Sequence, residues 1–257
     1  MKHVLVALGM LGCGATKPQP HGPALPLDRI AIVGASISAG FGGTPFGDAF
    51  ARAAPHSAVE SEANLMMFRD PPGDTHAQLA KAAAFHPTTI VALDFLFWDL
   101  YGSTDPAWRD RAFAAGLDEL ERSRAAGAWI VVGDVPRITT AAEWMLPHDQ
   151  VPSADVLAAA NAKLAAWARG RDRVLVVPLV EWTEPLRSGG AVELAPGERV
   201  DARTLLAGDG LHANALGTWY LLDRLDRFIS AELPGTPDDA LVFRRPATVA
   251  RSRSTSW

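Results

Sequence analysis

Three side chains in this sequence, Ser36, Asp209 and His212, have the types and spacing to do chemistry that a packed core does not require. A serine hydroxyl is a weak nucleophile until a base lies within hydrogen-bond reach, and that base works best when a third group orients it. In Gly208-Asp209-Gly210-Leu211-His212-Ala213-Asn214 a carboxylate precedes an imidazole by three residues. Across one tight turn this spacing lets Asp209 accept a hydrogen bond from His212 Nδ1–H. The tautomer is then fixed, and the imidazolium is stabilised when Nε2 takes a proton. Ser36 stands in Gly34-Ala35-Ser36-Ile37-Ser38-Ala39-Gly40, a turn of small residues directly after the apolar run Ile30-Ala31-Ile32-Val33. Such a turn can also simply reverse the chain, and it lacks the G-x-S-x-G elbow because Ser38 stands where the second glycine would be.

The elements that must position these groups alternate in kind along the chain. Ile30 to Val33 has the length and branching of a buried strand. Ser36 would then lie just past its carboxyl end, where open α/β sheets gather their ligands. Further strands are expected at Ser57 to Glu60, Thr88 to Leu93, Ala128 to Val132 and Val174 to Val177. Helices are expected from Pro45 to Ala54, from a cap at Asp74 or Thr75 to Phe85, from Asp105-Pro106 to about Arg124, from Ser153 to Ala168 and from Leu216 to Ile229. Residues 181–207 show neither period and read as an irregular excursion. The alternation predicts an α/β fold, a three-layer α/β/α sandwich around a mainly parallel five-stranded sheet.

With these blocks in hand, the sequence resembles the SGNH or GDSL hydrolases, serine esterases whose first block runs roughly G-D-S-x-S-x-G and whose last runs D-x-x-H. Gly34 to Gly40 matches the first block with Ala35 in place of the usual Asp, and Asp209-Gly210-Leu211-His212 matches the last. Asn161-Ala162-Lys163-Leu164 looks like the family's helix ahead of its penultimate strand. The resemblance covers about 200 residues and implies a flavodoxin-like sandwich at 28–234. It implies acyl-ester hydrolysis in which Ser36 attacks, His212 relays the proton and Asp209 orients His212. It also implies that Gly73, in a loop ahead of a helix, aims its N–H at the oxyanion, although Pro-Pro-Gly is ordinary turn chemistry too. The family's G-x-N-D block falls on Asp94-Phe95-Leu96-Phe97, so Asp94 stands where the Gly belongs. Leu96 stands where an oxyanion-hole Asn belongs, and that donor is missing. Asp94 and Asp99 are either functional carboxylates or, as such residues more often are, helix caps or partners of Arg.

Composition narrows the partners. In 257 residues, 48% are hydrophobic and 21% charged, which suits one globular domain with a sizeable core. The net charge of −5 argues against a nucleic-acid partner and for an uncharged substrate, and the resemblance implies that this is a small-molecule, lipid or acylated-glycan ester. The seven His show no metal-ligand spacing, and no dinucleotide fingerprint occurs, so no cofactor is expected. Met1-Lys2-His3, the apolar run Val4 to Gly12 and Leu11-Gly12-Cys13 resemble a bacterial lipoprotein signal over residues 1–12. Cys13 would be lipidated and carry the exported protein on the cell envelope. A plain secretory signal with an incidental cysteine, or a buried N-terminal strand, would account for the same residues. Residues 13–27, rich in Pro and Gly, read as a tether. Residues 235–257 hold Arg244, Arg245, Arg251 and Arg253, with no acidic residue after Asp239, and read as a solvated disordered tail.

Overall fold

The structure is a computed structural model that describes residues 25–237 and 240–246. Cys13, the segment 1–12, most of the tether and the end of the tail from 247 lie outside the described residues. Five strands, β1 (Arg29–Ile32), β2 (Ala58–Ser61), β3 (Thr89–Ala92), β4 (Trp129–Gly133) and β5 (Val174–Val177), form one all-parallel sheet in the order β2-β1-β3-β4-β5. Parallel strands covered on both faces read as unbroken apolar runs, and that is why β1, β3 and β4 are legible without alternation.

Alternate residues feed two cores. Ile30, Ile32, Val91 and Val131 pack against α1 (Phe46–Ala53), α6 (Leu179–Ser188) and α7 (Ala215–Glu232). Ala31, Val33, Ile90 and Val132 pack against α2 (Pro71–Ala84), α3 (Phe97–Tyr101), α4 (Pro106–Ala125) and α5 (Ala154–Ala168). The result is the expected three-layer sandwich. In this strand order the crossovers diverge between β1 and β3, so their carboxyl ends flank the crevice where such sheets bind ligands. Among the described residues no helix is long and apolar enough to cross a membrane.

The structure departs from the sequence reading in four places. Residues 181–207 are ordered: they finish α6, form an antiparallel hairpin of β6 (Ala191–Ala195) and β7 (Glu198–Asp201), and continue into a short 3-10 turn. Pro185 inside α6 hides that helix from propensity reasoning. The second helix begins earlier than Asp74, because Asp70 is its cap and Pro71 and Pro72 occupy its first turn. The last residues of the tether belong to the domain, since Leu27 joins the core and the Pro26 carbonyl accepts the hydroxyls of Thr88 and Thr89. Nor is the tail unstructured where it is described. Leu241 is buried, Phe243 packs edge-on against Phe50 at 5.1 Å, and Arg245 pairs with Glu198 while lying over Trp219.

Candidate active site

The turn after β1 is built around close approach. The Val33 N–H still donates to Val91 O, and the Gly34 N–H then leaves the sheet for Gln78 Oε1 at 2.7 Å. A Cβ on Gly34 would lie 2.2 Å from Asp94 Oδ1, so only glycine fits. The chain coils next, with Ala39 N–H on Ala35 O and Phe41 N–H on Ser36 O. Ser36 is thereby presented at the carboxyl edge of the sheet with its hydroxyl facing the loop before α7.

That loop is shaped by one carboxylate. Asp209 Oδ1 accepts the Leu211 and His212 N–H groups, each at 2.9 Å, which closes the turn and brings the imidazole back over Oδ2. Gly210 has φ +67, and a Cβ there would meet the Thr140 carbonyl at 2.0 Å. The connection from β4 to α5 seals the other side through Ala142 N–H on Asp209 O and the Thr140 hydroxyl on Gly210 O. Beyond it, Asn214 caps α7 by accepting the N–H groups of Leu216 and Gly217.

The two turns meet. His212 Nδ1 lies 2.8 Å from Asp209 Oδ2, and His212 Nε2 lies 2.8 Å from Ser36 Oγ. Asp209 and His212 are both buried, and the Phe41 ring covers the imidazole at 4.3 Å between centroids. Burial alone would raise the Asp209 carboxyl, but the hydrogen bonds from His212 and Leu211 outweigh it and hold the group below the usual carboxylate range. Asp209 is thus an anion placed to accept a hydrogen bond from Nδ1–H, and in the tautomer this selects Nε2 is placed to accept the proton of Ser36. Chemically this arrangement can generate an alkoxide-like nucleophile at neutral pH.

The oxyanion side differs from expectation. Gly73 is the third residue of α2, and its N–H is taken by Asp70 Oδ1 at 3.3 Å as part of the helix cap. It is absent from the lining of the cleft at Ser36, so it is not a donor there. Leu96 is buried and lines the cleft with a side chain that can donate nothing. Phe97 accompanies it there, and among the described residues the buried Trp98 indole N–H has no partner. The turn itself holds a free donor. Among the described residues, Ser36 N–H is the one amide from Ala35 to Ala39 without an acceptor.

The carboxylates after β3 do neither of the things such residues more often do. Among the described residues Asp94 caps no helix and meets no Arg; it accepts the Ala35 N–H at 3.0 Å, the Ile37 N–H at 2.8 Å, the Ser38 N–H at 3.3 Å and the Ser38 hydroxyl at 2.5 Å. Its part in the turn was hidden from sequence reasoning because it depends on a contact between strands. Asp99, fully buried between α3 and α4, has no hydrogen-bond partner for either oxygen, and burial pushes its carboxyl well above the usual range. Asn161 grips both the N–H and the carbonyl of Val135 and so fixes the loop after β4 to α5.

Beside Ser36 a cleft of about 890 Å³, open mouth included, runs between the carboxyl ends of β3 and β4 and the first turns of α6. Its walls are mainly apolar, with Leu93, Leu96, Phe97, Ile138, Leu179 and Leu186 among them. Among the described residues no group of three or more His, Cys, Asp or Glu gathers as a metal site.

Comparison with protein-family models and with curated proteins gives no match. Solved structures do match. A protein of Bacteroides fragilis assigned as an acylhydrolase aligns with a TM-score of 0.53 and 15% identity over 80% of this chain and 88% of its own. A catalytic mutant of an acetylxylan esterase from Geobacillus stearothermophilus aligns at 0.51 and 12% over 80% and 95%. A GDSL-like lipase from Bacteroides thetaiotaomicron aligns at 0.49 and 11% over 80% and 87%. At these identities the likeness is one of fold.

Proposed function

We propose that this chain, whose fold is that of the SGNH/GDSL hydrolases, hydrolyses carboxylic esters through Ser36, His212 and Asp209. The observation that carries the reading is the continuous pair of 2.8 Å contacts from Asp209 through His212 to Ser36. Ser36 Oγ attacks the ester carbonyl as its proton passes to His212 Nε2, and Asp209 stabilises the resulting imidazolium. The Ser36 N–H faces the oxyanion. Collapse of the tetrahedral intermediate expels the alcohol, which takes the proton from Nε2 and leaves an acyl-enzyme on Ser36. Water, deprotonated by His212 Nε2, then attacks that ester, and the acid is released as Ser36 Oγ takes the proton back from Nε2.

The apolar cleft supports an apolar acyl group, on a small-molecule, lipid or acylated-glycan ester. Hydrolysis of p-nitrophenyl esters from two to eight acyl carbons tests the reading. Ser36→Ala should lower turnover by at least about 10³-fold, whereas Ser38→Ala should matter far less. Full activity in folded Ser36→Ala overturns the assignment. Wild-type protein that binds such esters without turning them over favours a non-catalytic, envelope-anchored binding protein instead, which is the direction in which Leu96 points. Lipidation at Cys13 on the cell envelope is part of the proposal on sequence grounds alone. Cys13→Ala should move the protein from the membrane to the soluble fraction, and unchanged membrane association would rule out lipidation there.

A further inference from the structure

We infer that Asp94 is the positioning residue of the nucleophile turn: from the end of β3 its carboxylate gathers the three amides flanking Ser36 and the Ser38 hydroxyl, holds Ser36 against His212 and leaves the Ser36 N–H for the oxyanion. This rests on the ester-hydrolase reading.

The argument begins with donors and acceptors. All four groups that meet Asp94 are hydrogen donors. An ionised carboxylate accepts from every side; burial raises the Asp94 carboxyl above its usual value, and these four hydrogen bonds pull the other way, toward the anion. Charge-assisted bonds to the Ala35 N–H before Ser36, and to the Ile37 and Ser38 N–H groups after it, pin the backbone on either side of the nucleophile. The Ser36 N–H is the amide that this arrangement leaves over. Because Asp94 follows β3 and the turn follows β1, the carboxylate also ties the ends of the two strands that flank the crevice, just beyond the last register pair, Ile32 with Val91.

The same contacts explain two departures from the family pattern at once. The first block has Ala35 in place of Asp, and the third has Asp94 in place of Gly. The Ala35 amide donates to Asp94 Oδ1, so residue 35 lies beside that carboxylate. A carboxylate on residue 35 as well would bury two like charges in one small site. This chain carries one, and it comes from the turn after β3. Removing it would leave four buried donors unsatisfied, and a displacement of the nucleophile by even 1 Å costs catalysis on the order of 10²-fold.

The test compares Asp94→Ala and Asp94→Asn with Asp99→Asn, a change to a second buried Asp on the same segment that has no contact with the turn. Asp94→Asn serves where the alanine variant loosens the fold, since its amide sets N–H groups against the same donors. In variants with wild-type near-ultraviolet circular dichroism, kcat for a p-nitrophenyl ester should fall at least about 10²-fold with KM within about threefold. Covalent capture of Ser36 by a phosphonate should slow in parallel, and amide exchange at Ile37 and Ser38 should lose its protection. Asp99→Asn should keep wild-type kcat. A folded Asp94 variant with kcat within about threefold of wild type overturns the inference, as does an equal loss in Asp99→Asn. A wild-type protein inert toward both ester and phosphonate overturns the ester-hydrolase reading instead. Amide exchange then decides for Asp94 by itself: unchanged protection at Ile37 and Ser38 in Asp94→Ala refutes its hold on the turn.

Discussion

Asp209→Asn should lower ester turnover by about 10⁴-fold while the fold survives, the scale of loss that a wrong histidine tautomer causes in a Ser-His-Asp site. The structure dictates which way the new amide must face. Asp209 Oδ1 accepts two backbone N–H groups at 2.9 Å, whereas Oδ2 accepts only from His212 Nδ1 at 2.8 Å. An Asn keeps its carbonyl oxygen on the two amides, since the reverse orientation sets an NH₂ against two donors. Its NH₂ therefore faces Nδ1, which must become the acceptor. The ring proton moves to Nε2, the atom 2.8 Å from Ser36 Oγ, and the imidazole can no longer take the serine proton. Four decades of rate correspond to about 5.4 kcal/mol at 1.36 kcal/mol per decade. The check is kcat/KM for a p-nitrophenyl ester, alongside nitrogen NMR of the His212 ring and the unfolding midpoint. Turnover within about tenfold of wild type, in a protein whose Nε2 is shown to be protonated, would refute the tautomer argument and with it the role of His212 as base.

Three further outcomes follow from the same geometry. Leu96→Asn should raise turnover, because a lost oxyanion-hole donor typically costs about 10² to 10³ in rate; unchanged or lower rates in a folded variant would show that no donor is wanted at that position. Asp99 sets a pH dependence of stability: with its folded pKa above 3.8, the folded state keeps a proton that the unfolded chain has lost, so stability falls as pH rises through that window. Asp99→Asn should flatten that decline, by about 1.4 kcal/mol for each unit of displacement, in denaturant titrations at pH 4 and 7.5, and identical slopes in both proteins would contradict it. Arg245→Ala should lower the unfolding midpoint without altering KM, since it removes a double contact to Glu198 and the cover over Trp219 far from the cleft; an altered KM would tie the tail to substrate binding.

What the sequence disclosed follows from the range of the interactions involved. Strands β1, β3 and β4 were legible because burial on both faces demands unbroken apolar runs. The Asp209–His212 pair was legible because its hydrogen bonds close within three residues. Asp94 was not, because its role arises from β1 and β3 lying side by side, a relation that no local pattern encodes. Gly73 was misplaced because the helix starts early: Asp70, rather than Asp74 or Thr75, is its cap and accepts the Gly73 N–H, and Pro71-Pro72, which resembles a loop, lies in the first helical turn. The tail hid its structure differently. Leu241 and Phe243 are too few to make a period, and they are recognisable as core only once Phe50 and Trp219 are in place to receive them.

The approach of the two ends of the described chain has a consequence for how the molecule can be handled. Leu25, just before β1, and Val242, whose N–H is held by the Ala53 carbonyl, border one shallow pocket at the amino edge of the sheet, whereas Ser36 opens at the carboxyl edge. Anything attached through that edge, whether a surface, a fusion partner or a lipid, leaves the cleft facing outward. The same proximity makes the chain a candidate for circular permutation. A short flexible linker could join the ends there, and new termini could open at the Pro196-Gly197 tip of the hairpin, where a Cβ on Gly197 would meet nothing within 4 Å. Every element that holds Ser36 and His212 would remain uncut.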